Sequence, residues 1–100
     1  MTSDGATVYI LQCADGSFYS GLTHRTIDER VGEHLAGNGG DYTRRRLPVK
    51  LVYAAHFQRI TDAIATERRI KGWSRAKKMA LMREDFEALK QLASRAERQR

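Results

Sequence analysis

The stretch Thr7-Val8-Tyr9-Ile10-Leu11-Gln12-Cys13-Ala14-Asp15-Gly16-Ser17-Phe18-Tyr19-Ser20-Gly21-Leu22 decides how this chain is read. Two apolar runs flank Asp15-Gly16, a pair that favours a two-residue hairpin turn because both residues tolerate positive φ. Strands are expected over 6–14 and 17–22, running antiparallel. Alternation puts Val8, Ile10 and Gln12 on one face and Tyr9, Leu11 and Cys13 on the other. The first strand is apolar on both faces apart from Gln12, the pattern of a central strand. A hairpin closed here brings Tyr9 and Tyr19 into one small region of sheet.

Downstream, Ile27, Val31 and Leu35 recur at i, i+4 and i+8, so a short amphipathic helix is expected over 27–36. Arg30 and His34, also i and i+4, share a neighbouring face. Thr26 suits the N-cap, and Glu29 completes a capping box. Gly37-Asn38-Gly39-Gly40 ends the helix and opens a loop. The segment Asp41-Tyr42-Thr43-Arg44-Arg45-Arg46 is basic, with one aromatic. Pro48 precedes a third strand, expected over 49–57. Thr61 is expected to cap a second helix carrying Ala63, Ile64, Glu67, Ile70 and Lys71, which Gly72-Trp73 ends. Ser74 caps a third helix through about Met82. A last helical stretch, Asp85 to Ala96, carries Phe86, Leu89, Leu92 and Ala93 on one side, and Arg95–Arg100 reads as a solvated tail.

The order β-β-α-β-α-α predicts an α+β domain, a small three-stranded antiparallel sheet flanked by helices. The expected domain spans 6–82, with 83–100 as a C-terminal helical extension and basic tail.

Composition narrows the function. A chain of 100 residues has room for one domain. With 30% charged and 41% hydrophobic residues it reads as globular rather than disordered. The single cysteine, Cys13, forms neither an internal disulfide nor a thiolate cluster, and in an apolar strand it reads as a buried structural thiol. No run approaches the roughly 18 apolar residues of a membrane span. The N-terminal Met1-Thr2-Ser3-Asp4-Gly5 has no secretory pattern, so a cytoplasmic protein is expected. The net charge of +6 and pI near 9.9 point to a polyanionic partner.

These elements together resemble the GIY-YIG nuclease family, and in particular its small stand-alone bacterial members. Thr7-Val8-Tyr9 matches the first signature, departing at the leading glycine. Tyr19-Ser20-Gly21 matches the second, departing at the middle residue. Arg30-Val31-Gly32-Glu33-His34 matches the helix motif. Tyr42-Thr43-Arg44 and Leu51-Val52-Tyr53 resemble the family's loop and third strand. Glu67, in Thr66-Glu67-Arg68-Arg69-Ile70-Lys71, matches the metal-binding glutamate, and Gly72-Trp73-Ser74-Arg75-Ala76-Lys77-Lys78 continues the likeness. The stretch Thr23-His24-Arg25-Thr26 is one residue longer than usual. Singly, these residues read as strand aromatics and solvated helix charges; it is their order and spacing that carry the resemblance.

The resemblance implies a metal-dependent endonuclease acting on DNA in preference to RNA, in a family that includes the incising domain of excision repair. Its implied catalytic residues are Tyr9, Tyr19, Arg30, His34 and Glu67, with Glu67 holding Mg²⁺ or Mn²⁺. A phenol must be acidified to act as base, since it ordinarily titrates near 10; either tyrosine could serve. Arg30 would offer a planar fork to phosphate, and His34 would relay a proton. Tyr42, Arg44, Arg45, Arg46 and Lys71 are candidate nucleic-acid contacts. With little chain outside the core, structured substrates are expected rather than a sequence. The other reading is a binding module on the same fold, without useful turnover. A protein partner is left open.

Overall fold

The structure, a computed structural model, describes residues 5–98, with side chains described as far as Leu92. Strands β1 (Ala6–Gln12), β2 (Phe18–Thr23) and β3 (Lys50–Phe57) form an antiparallel sheet of order β2-β1-β3. The helices are α1 (Ile27–Leu35), α2 (Asp41–Arg44), α3 (Ile60–Lys71), α4 (Arg75–Met82) and α5 (Phe86–Arg98). The expected α+β architecture and central first strand are present. α2 is additional, a short helix inside the basic segment read as loop.

β1 is buried at Ala6 and from Val8 to Leu11, with Thr7 and Gln12 half-buried, because both faces are covered. Val8 and Ile10 pack with Ala63 and Ile70 of α3 and Leu81 of α4. Tyr9, Leu11 and Cys13 pack with Val49, Ile27 and Val31 on the α1 side. Burying an aliphatic side chain such as Ile10 contributes about 1.5–3 kcal/mol. A bulge on β3 serves both layers. Ile10 pairs with Tyr53 but Leu11 with Leu51, so Val52 is the extra residue. Val52 and Tyr53 therefore join the α3 layer while Leu51 turns to the α1 layer. Cys13 is a buried free thiol, and burial pushes its pKa up.

The first turn differs from expectation. Cys13 N–H donates to Ser17 O at 2.8 Å and Gly16 N–H to Cys13 O at 2.9 Å. The loop is therefore Ala14-Asp15-Gly16, three residues with Gly16 at φ 84°. Asp15 Oδ1 fixes it by accepting from Ser17 N at 3.0 Å and Ser17 Oγ at 2.6 Å. The extra loop residue changes which residues share a face. A two-residue turn would pair Tyr9 with Leu22 and put the two tyrosines on opposite faces. The observed register pairs Tyr9 with Gly21 and Leu11 with Tyr19, so both tyrosines lie on the α1 side.

Thr26 caps α1 as expected, accepting from Glu29 N at 3.2 Å. Its hydroxyl also donates to Glu29 Oε1 at 2.9 Å, a variant of the reciprocal box. Ser74 caps α4, accepting from Lys77 N at 3.3 Å. Thr61 does not cap α3: that helix starts at Ile60, with Arg59 at the cap and no side-chain cap bond. Trp73 is half-buried cover for the α3 layer, with Lys77 Nζ 5.3 Å from its ring centroid. α5 runs past the expected end at Ala96. The expected packing of Ala93 and solvation of Arg95–Arg100 lie outside the described side chains. No described helix is long and apolar enough to cross a membrane.

Candidate active site

Four of the five expected catalytic residues converge on the α1 side of the sheet. Tyr9 and His34 are fully buried. Tyr9 Oη lies 2.9 Å from His34 Nε2, and Arg30 Nε donates to the same oxygen at 3.1 Å. The i, i+4 spacing on α1 is what delivers a guanidinium and an imidazole to one phenol. The longer stretch 23–26 does not displace Arg30 from that contact. Tyr19, opposite Leu11 on β2, brings its ring centroid to 5.4 Å from that of His34.

Glu33 and Thr43 complete the surroundings. Glu33 Oε1 lies 3.5 Å from Arg30 Nη1, and Glu33 Oε2 3.4 Å from Arg25 Nη1. His34 Nδ1 is 2.7 Å from the buried Thr43 hydroxyl. Gly39 packs so closely on the imidazole that a Cβ there would collide with Nδ1 and Cγ. Thr43 and Gly39 are near neighbours of His34 that the sequence reading did not single out. Their signal was weak, a glycine run and a β-branched residue in a polar segment. Glu33, three residues after Arg30, was within reach of the helix-spacing rule.

The electrostatics favour neutral partners at rest. Burial lowers the pKa of His34, and the Arg30 cation lowers it further against the opposing pull of Glu33. Burial raises the Tyr9 phenol, with the hydrogen bond and charge of Arg30 opposing. At rest the pair is therefore a protonated phenol beside a neutral imidazole.

The fifth, Glu67, comes from α3. It lies on the inward stripe of α3, at i+4 from Ala63 and i−3 from Ile70, so its side chain is only 15% exposed. Among the described residues it has no hydrogen bond, ion pair or ring contact with the four. Its Oε1 is 3.5 Å from Lys71 Nζ, which leaves Oε2 free among the described residues. No group of three or more His, Cys, Asp or Glu side chains is placed to hold a metal among the described residues.

The basic segment divides by partner. Arg44 Nη2 pairs with Asp41 Oδ1 at 2.6 Å. Arg46 Nε pairs with Asp15 Oδ2 at 3.1 Å, its Nη1 donates to Tyr42 O at 3.0 Å, and its guanidinium lies 3.8 Å over the Tyr42 ring. Ala14 N–H also donates to Arg46 O at 2.9 Å, so Arg46 ties the β1–β2 loop to α2. Tyr42 stacks on Tyr19 at 5.8 Å between centroids. Arg45 is exposed and has no such partner among the described residues.

A three-stranded sheet with helices on both faces and a guanidinium–phenol–imidazole chain at the α1 layer define a small single-site domain. Residues 5–80 match the family model of the GIY-YIG catalytic domain. A UPF0213 protein of Halobacterium salinarum is 46% identical over 74 residues, covering 74% of this chain and 95% of the relative. One from Staphylococcus aureus is 40% identical over 81 residues, covering 81% and 98%. The solution NMR structure of a UPF0213 protein from Bacillus halodurans aligns with TM-score 0.51 and 42% identity over 77% of this chain and 81% of that one. The chain belongs to the GIY-YIG catalytic-domain family, among its small single-domain UPF0213 members. Nucleic acid is the substrate class this family acts on.

Proposed function

We propose that this protein is a divalent-metal-dependent nuclease hydrolysing phosphodiester bonds, in DNA rather than RNA, with little sequence specificity and a preference for structured substrates. The observation that carries this reading is the hydrogen-bonded line from Arg30 through Tyr9 to His34. Hydrolysis needs a deprotonated water, neutralised phosphoryl charge and help for the leaving oxygen. Tyr9 is the phenol equipped as base. Its proton passes to His34 Nε2, leaving a phenolate that Arg30 steadies and that then takes the proton of the attacking water. The remaining N–H groups of Arg30 face the phosphate. Tyr19 and Tyr42, stacked beside His34, border the substrate side. Arg45 and Lys71 contact flanking phosphates.

Glu67 fits a hard divalent cation as a single-carboxylate ligand. Its carboxylate is oxygen-only and mostly enclosed, with one oxygen uncommitted, and Mg²⁺ commonly binds through one carboxylate, completing its shell with waters and substrate phosphate. A cation held there would supply Lewis-acid stabilisation of phosphoryl and leaving oxygens.

The test is incubation of wild type and Glu67→Ala with labelled single-stranded, duplex, flap and junction DNA and RNA, with Mg²⁺, Mn²⁺ or EDTA. Metal-dependent cutting by wild type alone supports the reading. Binding without cutting under every condition would leave the binding module in its place.

A further inference from the structure

We propose that Thr43 is a positioning residue that fixes His34 in one tautomer, with the proton on Nδ1 and the lone pair on Nε2 aimed at Tyr9. This rests on the reading of Tyr9 and His34 as a proton-transfer pair.

The inference follows from counting donors and acceptors along one buried line. Arg30 Nε can only donate, so Tyr9 Oη accepts there, at 3.1 Å. If His34 Nε2 also carried a proton, Tyr9 would accept twice and its own hydroxyl proton would have no acceptor. Tyr9 is fully buried, where an unmade hydrogen bond costs about 1–3 kcal/mol. Satisfaction of every group therefore requires Tyr9 O–H to donate to Nε2, across 2.9 Å. Nδ1 then carries the proton and donates to Thr43 Oγ1 at 2.7 Å. The Thr43 hydroxyl in turn has its own acceptor, Gly40 O at 3.5 Å. Every proton on the line points the same way, from Arg30 to the Gly40 carbonyl.

The same arrangement serves both ends of the proton transfer. When the phenol proton moves to Nε2, the imidazolium donates Nε2–H back to the phenolate and keeps Nδ1–H on Thr43. No side chain has to turn. Charged and titratable groups facing His34 are Tyr9 from β1, Tyr19 from β2, and Arg30 and Glu33 from its own helix. Thr43 supplies the uncharged contact from α2. None of the others reaches Nδ1, and the Thr43 hydroxyl, with its own proton given to Gly40 O, is left to accept there, so Thr43 distinguishes the two ring nitrogens. The bare Gly39 backbone against Nδ1 and Cγ lets the 39–43 segment close over the ring.

The experiment is ¹⁵N–¹H correlation of the imidazole nitrogens in wild type, Thr43→Ser and Thr43→Val, with His34→Gln to assign the signals. Wild type and Thr43→Ser are expected to show His34 as a single Nδ1–H tautomer. Thr43→Val is expected to show a mixture, or the Nε2–H form. In cleavage assays Thr43→Val should lose about tenfold or more in kcat, a part of the 10²–10⁴ that positioned proton transfer contributes, with KM nearly unchanged. Thr43→Ser should restore most of it. Wild-type His34 as the Nε2–H tautomer overturns the proposal, whether or not Thr43→Val folds. A Thr43→Val spectrum unchanged at His34 also overturns it. Tautomer results as expected in a wild type that cuts nothing would sink the nuclease reading while supporting the role of Thr43.

Discussion

Gly21 lies directly across the β1–β2 ladder from Tyr9, and the phenol covers it so closely that a Cβ at position 21 would stand 2.5 Å from both Oη and Cζ. The second signature's glycine is thus explained by the first signature's tyrosine. Gly21→Ala must push the ring off its seat and away from His34 and Arg30. The expected outcome is a loss of about 1–3 kcal/mol, the usual range for overpacking, together with loss of cleavage. Chemical denaturation and a Tyr9 ring spectrum check it; an unmoved ring with full stability would contradict the packing.

Arg30→Lys keeps a cation but not the fork. Arg30 gives Nε to Tyr9 while Nη1 faces Glu33, and a single ammonium cannot hold the phenol and still present a planar pair to phosphate. Turnover is expected to fall markedly more than substrate affinity. Steady-state kinetics beside a binding titration separate the two. Equal losses would place Arg30 in the general basic surface.

The three consecutive arginines should not be equivalent. Arg45 has no intramolecular partner among the described residues, so Arg45→Ala should flatten the dependence of log affinity on log salt by about 0.9. Because phosphate contacts carry no base information, all sequences should weaken alike. Arg46→Ala should instead lower the melting temperature, since Arg46 joins Asp15, Tyr42 and the loop backbone. A salt slope lowered equally by both variants would refute this division.

His34 predicts an acid-side loss of stability. Its folded pKa lies below the ordinary imidazole value because of burial and Arg30. The unfolded imidazole protonates near pH 6.5, while the folded one resists. Between those two points the unfolded state binds more protons. The stabilisation is therefore present above the ordinary value and declines as pH falls through it, until folded His34 also protonates. One group sets a slope of at most about 1.4 kcal/mol per pH unit. Melting temperature against pH should be flatter in this window for His34→Gln; identical slopes would show that another group is responsible.

Ser20 carries a buried hydroxyl with no hydrogen-bond partner among the described residues. It pairs with Ile10 on the layer facing α3, away from the tyrosines. Ser20→Ala removes the unsatisfied group and should stabilise by about 1 kcal/mol, or roughly 4–8 °C in a domain of this size. A lowered melting temperature would mean that the hydroxyl has a partner in solution.

Much of the site was readable along the chain because its parts are local. Arg30 and His34 share a face through helical spacing, and Thr26 and Ser74 mark their helices by capping chemistry. The grouping of Tyr9 with both of them is non-local, but a known order of motifs made it expected. Thr43 and Gly39 escaped because their importance lies in touching His34 across a loop, which no periodicity encodes. Arg44, Arg45 and Arg46 read alike in sequence. Asp41, Asp15 and Tyr42 make them different in the fold.

Composition, alternation and helical period determined the α+β class and the buried central strand, because these depend on side-chain type and spacing alone, while the candidate phosphodiester residues were named by the resemblance to a known order of motifs. The tertiary structure decided three things. It chose a three-residue loop over the two-residue turn that Asp15-Gly16 suggests, through the Cys13–Ser17 and Asp15–Ser17 hydrogen bonds. It placed an extra residue at Val52, so that β3 serves both layers. It enclosed the Glu67 side chain on the inward stripe of α3 with one carboxylate oxygen uncommitted among the described residues. The first matters most, since the side-chain period of a strand is two. One residue more in the loop is the difference between tyrosines on opposite faces and tyrosines sharing His34.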